Sequence, residues 1–322
     1  MAEQQQIPAM NNFAARERVA VLIPCYNEEA AIAQVVAAFR AALPGSTIYV
    51  YDNNSRDRTM EAARAAGALV RTESLQGKGH VVRRMFADIE ADVYVLVDGD
   101  ATYDAPSARM MMNRLVAENL DMVVATRVER DEDAYRLGHR TGNALLTGFV
   151  GAIFGRTIID MLSGYRVLSR RFVKSFPVLS RGFEIETELT VHALELDLPI
   201  AEVKTPYYAR PDGSHSKLNT WRDGFSILWM ILKLFRSEHP LAFFGGIGLL
   251  LALASTLLAV PIFATYLEQG LVPRLPTAVL STGMMLLAFM CVASGLVLDT
   301  VTRGRREMKL LAYLSQAPIG KN

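Results

Sequence analysis

Two apolar stretches, residues 240–267 and 275–298, contain no acidic or basic side chain. No other feature of the sequence restricts the architecture as strongly. As a helix the first would extend ~42 Å, enough to cross a bilayer with some tilt. The loop between them carries Glu268 and Arg274, whereas Lys233 and Arg236 precede the first stretch and Arg303, Arg305, Arg306 and Lys309 follow the second. Positive charge collects on the cytoplasmic side of spanning segments. This pattern therefore predicts a two-helix transmembrane hairpin, multi-pass in the inner (cytoplasmic) membrane, with both termini and everything upstream in the cytoplasm. One such stretch alone reads equally well as a buried core helix; two in tandem with basic flanks do not.

The upstream part has a different character. Residues 1–17 are polar, lack the apolar core of a signal peptide, and read as a flexible tail. From 18 to 126, short β-branched runs alternate with helical patterns. Val19–Ile23, Thr47–Tyr51, Ala68–Arg71, Val93–Val97 and Asp121–Ala125 read as strands, with helices between them. Continuous apolar strands separated by helices predict an α/β fold, with a mostly parallel, Rossmann-like sheet covered on both faces. Ligands of such sheets lie beyond the carboxyl ends of the strands. Here those ends carry Tyr26-Asn27-Glu28, Asp52-Asn53-Asn54-Ser55, Asp98-Gly99-Asp100 and Thr126-Arg127. Polar and acidic groups thus converge on one edge.

Further on, residues 138–155 read as an apolar, glycine-spaced helix, 164–168 and 200–204 as strands, and 184–196 as a helix. The stretch 207–216, rich in Pro, Gly and Ser, reads as a loop able to close over a ligand. Residues 219–237 form an amphipathic pattern, with Arg222, Ser226, Lys233 and Arg236 along one face and Trp229 intruding on it, which suits a helix at the membrane interface. The predicted organisation is a tail (1–17), a catalytic domain (18–218), an interfacial helix (219–237), two spans (240–267 and 275–298) and a cytoplasmic tail (299–322). A net charge of +1 gives no bulk attraction for nucleic acid, and none is expected as a partner. The two cysteines, Cys25 and Cys291, sit in dissimilar contexts and suggest no disulfide framework.

Asp98-Gly99-Asp100 is the sharpest chemical signal. Two carboxylates leaving a strand can hold a hard divalent cation, which neutralises a diphosphate. A tight turn would use the same residues, so the weight comes from the position at the end of the fourth strand.

Several segments occur in order: Ile23-Pro24-Cys25-Tyr26-Asn27-Glu28-Glu29, Asp52 to Thr59, Gly77-Lys78-Gly79, and Asp98 to Asp104. Together they resemble the nucleotide-sugar-binding half of family 2 glycosyltransferases with a GT-A fold. Ser163-Gly164-Tyr165-Arg166, Gly182 to Glu188 and Arg210 to Leu218, with the two spans, resemble the polyprenyl-phosphate glycosyltransferases related to dolichol-phosphate mannose synthase. The likeness runs over roughly residues 18–310. It implies that Pro24, Tyr26 and Glu28 line the base and ribose pocket, that Asp52 hydrogen-bonds the base, and that Lys78 meets the diphosphate. It further implies that Asp98 and Asp100 hold Mg2+ or Mn2+. Where dolichol-phosphate mannose synthases commonly carry Gln two residues after the second Asp, this chain has Thr102. The third metal ligand is therefore open between Thr102, Asp104 and water.

An acceptor phosphate needs cations, and the candidates are Arg127, Arg140, Arg166, Arg210 and Lys217. Catalysis is expected to rest on Asp98, Asp100, Arg127 and Lys217. A phosphate monoester is mostly dianionic at neutral pH, so no strong base is required, and single displacement inverts the anomeric centre. Asp160, Glu184, Glu186 and Glu188 are read as groups that orient cations or sugar hydroxyls. Likeness to bacterial members favours a UDP-hexose donor, with modified UDP-sugars and GDP-mannose open, and undecaprenyl phosphate as acceptor for cell-envelope glycosylation; it also admits a homo-oligomer. A processive polysaccharide synthase is the nearest rival, but its Gln-x-x-Arg-Trp motif is missing. A silent membrane adaptor is disfavoured by the intact acidic residues. A Rossmann dehydrogenase is disfavoured because no Gly-x-Gly-x-x-Gly follows the first strand.

Overall fold

A computed structural model describes residues 18–129, 147–151, 154–155, 158–182, 184–211, 229 and 232–318. The N-terminal tail, most of the 138–155 pattern, Arg140, Lys217 and residues 219–228 and 230–231 of the 219–237 pattern lie outside them. The chain divides into two compact units, residues 1–224 with 309–322, and residues 225–308.

The first unit is built on a seven-stranded sheet. Its strands are β1 (Val19–Cys25), β2 (Thr47–Asp52), β3 (Leu69–Thr72), β4 (Val93–Leu96), β5 (Met122–Glu129), β6 (Arg166–Ser169) and β7 (Ile200–Tyr207), in the order β3-β2-β1-β4-β6-β5-β7. The pairs β1/β2, β1/β4, β2/β3 and β5/β7 are parallel, and β6 runs antiparallel to both β4 and β5. The sequence-predicted strands are all present.

Helices α1 (Ile32–Ala42), α2 (Thr59–Ala65), α3 (Lys78–Asp88), α4 (Ser107–Ala117), α5 (Arg170–Ser175) and α6 (Ile185–Glu195) cover the two faces. Side chains alternate across a strand, and β1 follows this rule. Val19, Val21 and Ile23 enter one apolar cluster with Val36 and Phe39 of α1 and Met111 of α4. Ala20 and Leu22 enter the other with Val82 and Met85 of α3, Phe172 of α5 and Leu189 of α6. Leu22 and Ile23 are fully buried, and each such side chain contributes about 2 kcal/mol through removal from water.

The order of strand addition reverses at the β1/β4 boundary: β2 and β3 extend to one side of β1, and β4 and later strands to the other. That switch point opens a crevice at the carboxyl ends of the strands.

The second unit contains α7 (Pro240–Gln269) and the start of α8 (Leu275–Leu314). Both helices are long and apolar enough to cross a membrane, and only 17% and 11% of their most apolar windows are buried, so neither is a core helix of this unit. They pack antiparallel along small residues. Ser255 donates to the Ser281 carbonyl at 2.7 Å, a Cβ on Gly248 would lie 2.9 Å from the Ala288 carbonyl oxygen, and one on Gly295 would lie 3.3 Å from Leu241 Cα. Small side chains at seven-residue intervals let helix backbones approach closely.

The sequence places a tail from 299, but α8 continues as one helix to Leu314. Its last turns, from Lys309, belong to the first unit. Tyr313 packs against the α3/α5/α6 cluster and donates its hydroxyl to Asp121 at 2.7 Å. Asp121 is fully buried and also accepts from Ser169 at 2.6 Å. The Arg171 guanidinium lies over the Tyr313 ring, and Lys309 pairs with Glu195 at 2.6 Å. Tyr313→Phe removes one donor from a buried carboxylate, a loss of about 2 kcal/mol. The purified full chain is expected to melt about 5 °C lower, as read by its thermal midpoint.

Candidate active site

The crevice is built from three strand ends. At the end of β1, Asn27 adopts a left-handed backbone (φ 52), and the turn is tied to the end of β2. Asn27 N–H donates to Ser55 Oγ at 2.9 Å, and Asn27 Oδ1 accepts from Arg56 N–H at 2.8 Å. Glu28 is buried; its backbone N–H donates to Thr59 Oγ1 at 2.9 Å and its carbonyl accepts the first amides of α1. Pro24 and Tyr26 are half-buried. Pro24 lies beyond the last residue of β1 that pairs with β4, so its missing N–H costs no ladder bond there.

Asp52 pairs in register with Cys25. One carboxylate oxygen, Oδ2, accepts from Ser55 N–H at 3.0 Å. The other, Oδ1, is buried without a hydrogen-bond partner. A buried acceptor left open costs roughly 1–3 kcal/mol, which a ligand donor would recover. Neighbouring Asn53 serves the scaffold instead, donating to the carbonyls of Glu73 and Leu75 and accepting from Gly77 N–H at 2.7 Å.

Asp98-Gly99-Asp100 follows β4. A Cβ on Gly99 would lie 2.6 Å from Cys25 Sγ, so the glycine lets the two acidic residues leave the sheet hard against the end of β1. The Gly164 backbone lies against Asp98: a Cβ there would come within 2.4 Å of Oδ2. Gly164 is itself held by its N–H donating to Tyr103 Oη at 2.9 Å. Each carboxylate has its own cation. Lys78 Nζ lies 2.5 Å from Asp98 Oδ1, and Arg210 Nη2 lies 2.7 Å from Asp100 Oδ2. Burial, and then the charge of Asp98, raise the pKa of Asp100, against the pull of Arg210. Two hard oxygen donors crowded this closely fit a divalent cation, which would relieve that repulsion.

The candidates for a third metal ligand have separate roles. Thr102 is buried and donates its hydroxyl to Asp100 Oδ1 at 2.6 Å, so it orients the carboxylate. Asp104 caps the start of α4, accepting from Ser107 N–H at 3.0 Å, and accepts from the Tyr208 hydroxyl at 3.2 Å. It is committed to the scaffold. Among the described residues no third carboxylate, His or Cys joins the pair.

Lys78 opens α3 between Gly77 and Gly79. Glycines at these positions suggest room for a diphosphate. The structure instead brings the 180–181 backbone against them, since a Cβ would lie 2.1 Å from the Arg181 carbonyl oxygen at Gly77 and 2.3 Å from that of Ser180 at Gly79. Lys78 also pairs with Glu186 in the first turn of α6. Burial alone would lower its pKa; Asp98 and Glu186 together outweigh burial and raise it, so it is a firm cation. Glu188 accepts from the N–H groups of Leu179 and Ser180, both at 2.8 Å, and Glu184 from Gly182 N–H. The outer two glutamates of this run hold the loop, and the middle one turns inward. Glu186 is the residue that sequence reasoning undervalued. Its signal was the offset from the Glu184/Glu188 face.

Of the cations predicted for an acceptor, Arg127 lies near the end of β5 and is clamped by Asp160, at 2.7 and 2.8 Å. Glu202 on β7 holds the backbone of that clamp, accepting from Ile159 N–H at 2.8 Å and Asp160 N–H at 3.2 Å. Arg166 is a correction. It is fully buried, and it donates to the carbonyls of Met161 and Ser163 and to Thr190 Oγ1. Burial lowers its pKa to about 10, and it ties the 161–163 loop to α6 instead of facing a ligand. Arg140 and Lys217 lie outside the described residues.

Comparisons with known proteins bear on the family and the fold. Residues 20–176 match Glycosyl transferase family 2. The chain is 34% identical to Glycosyltransferase AglJ of Haloferax volcanii, over 78% of this chain and 82% of that one. It is 28% identical to the Dolichyl-phosphate hexose transferase of the same organism, over 69% and 95%. Among solved structures, glucosyl-3-phosphoglycerate synthase from Mycobacterium tuberculosis, in complex with Mn2+, UDP and glucosyl-3-phosphoglycerate, superposes with a TM-score of 0.54. That match has 25% identity and covers 69% of this chain and 80% of that one. A mixed α/β sheet with an acidic pair at its switch point is the GT-A arrangement of sugar-transferring enzymes. The chain belongs to glycosyl transferase family 2, and it is a glycosyltransferase.

Proposed function

We propose that this enzyme transfers a sugar from a nucleotide-sugar, with a UDP-hexose favoured, to polyprenyl phosphate at the cytoplasmic face of a membrane, with inversion at the anomeric carbon. The observation that carries the donor half is the crevice at the β1/β4 switch point. There Asp98 and Asp100 each hold a cation that a diphosphate can share, and Asp52 Oδ1 waits without a partner. The open acceptor matches the imide N–H of uracil, and Pro24, Tyr26 and Glu28, from the end of β1 that pairs with Asp52, are the candidates to line the rest of the base and ribose pocket. Mg2+ or Mn2+ on Asp98 and Asp100 would neutralise the diphosphate leaving group. Lys78 adds a fixed positive charge where negative charge develops.

For the acceptor half, support comes from α7 and α8, long and apolar enough to cross a membrane, and from their basic flanks, which by the bias of positive charge toward the cytoplasmic side favour a cytoplasmic catalytic unit. It also comes from the relative named a dolichyl-phosphate hexose transferase. Arg127, held by Asp160, is the first candidate to meet the acceptor phosphate, with Arg140, Arg210 and Lys217 as further cations. The phosphate dianion attacks without a base. Glu186, Asp160 and Glu202, already committed to cations or amides, have no free role as one.

The test is a panel of radiolabelled nucleotide-sugars given to the purified full chain with undecaprenyl phosphate and Mn2+ or Mg2+. Label is expected in an organic-soluble product with one donor well above the rest. No lipid-linked product from any donor would remove the proposal. Product from a sugar hydroxyl acceptor alone would favour a polysaccharide synthase instead.

A further inference from the structure

We propose that Glu186 is a positioning residue for donor binding: it retains Lys78 at the site when Asp98 is taken up by the metal and the diphosphate. The proposal rests on the donor reading above. Lys78 Nζ bridges Asp98 and Glu186, and the lysine and Glu186 side chains are only 10% and 8% exposed, against 29% for Asp98. The two carboxylates therefore differ in kind. Asp98 faces the crevice; Glu186 lies behind the lysine.

Its position is built, not incidental. Gly77 has φ 131, and Gly77 and Gly79 leave no room for a Cβ because the 180–181 backbone passes there. Gly79 N–H also donates to the Arg181 carbonyl at 3.2 Å. The start of α3 is thereby laid against the loop that leads into α6, and Lys78 and Glu186 face each other from the first turns of the two helices.

Charge separates the roles of the two carboxylates. One cation between two anions is balanced toward both. Once a divalent ion occupies Asp98, the attraction of Lys78 for that carboxylate is largely cancelled and the ion itself repels the ammonium. Glu186 is then the anion that keeps the ammonium in place, leaving its remaining N–H donors for the diphosphate. Without Glu186 the buried lysine loses its rear partner and is pushed out of the position from which it helps the donor. Three donors on a lysine suffice for this division of labour.

A double-mutant cycle tests it on the full-length protein, by calorimetric binding of UDP and of GDP with Mn2+. Glu186→Ala is expected to weaken nucleoside diphosphate binding about 10-fold, and to add nothing further in a Lys78→Ala background. Glu186→Gln keeps the side-chain volume and one acceptor for the ammonium. Its expected loss is smaller, about 3-fold, again absent when Lys78 is Ala. This second cycle stands even if the alanine variant folds poorly. Losses that persist undiminished in the Lys78→Ala background, or unchanged binding in both glutamate variants, would overturn the assignment. A wild-type protein that binds neither nucleotide would instead remove the donor reading, and this proposal with it.

Discussion

Asp100→Ala is expected to lower sugar transfer by at least about 1000-fold, close to 4 kcal/mol of lost transition-state stabilisation, while the protein stays folded. The two halves of this expectation have separate causes. Asp100 is buried beside Asp98, and burial raises its pKa, so its charge is carried at a cost in the folded state. Removing it relieves that cost. The groups left behind are Thr102, which loses an acceptor at 2.6 Å, and Arg210, which is part-exposed and can turn to water. Chemistry has no such relief, because a single remaining carboxylate binds a divalent cation weakly. Calorimetric titration with Mn2+ in the presence of nucleoside diphosphate, beside the transfer assay and a thermal midpoint, separates the outcomes. Near-normal transfer by Asp100→Ala would sink the metal assignment. Thr102→Ala, which frees the carboxylate without removing it, belongs between the variant and the wild type.

The sheet and the converging strand ends were legible because both depend on short-range rules. Alternation across β1 sends Val21 and Leu22 to opposite clusters, and the polar residues after each apolar run fall on one edge whatever the strand order. The antiparallel insertion of β6 was not legible. A four-residue run carries no information about its neighbours, and its direction is set by pairing with β4 and β5. Arg166 was misjudged for a related reason. In a run flanked by Tyr165 and Val167 its partners are carbonyls of its own loop and a threonine on α6, and no local pattern announces them. The end of α8 was missed because apolarity was the criterion, and apolarity stops at Leu298. The residues that dock, Lys309 and Tyr313, are polar but four apart, hence on one helix face.

The glycines divide the site in a similar way. Their presence near Lys78 signalled a close approach, and there is one, but the approaching group is the chain itself. Gly164 falls in a segment that carries the family resemblance, but nothing local announces its neighbour across space, Asp98.

That contact supports the second large expectation, that Gly164→Ala lowers transfer by about 100-fold with little change in stability. The new methyl would begin 2.4 Å from Asp98 Oδ2, 2.9 Å from Cγ and 3.1 Å from Oδ1. All three are atoms of one short side chain, so the strain is released by rotating Asp98 and not by moving the sheet. Rotation takes Oδ1 away from Lys78 and away from the place where Asp98 and Asp100 can share one ion. A displacement of about 1 Å in a reacting constellation is enough for a loss of that size. Because Asp98 is reoriented and not removed, excess Mn2+ should recover part of the activity, and the metal concentration for half-maximal rate should rise. Gly77→Ala is the contrast: its methyl meets the backbone oxygen of Arg181 at 2.1 Å in a left-handed conformation, where nothing can rotate aside, so that variant should lose stability first. A Gly164→Ala enzyme with unchanged metal dependence and normal rate would mean that Asp98 does not act where the β4 end puts it.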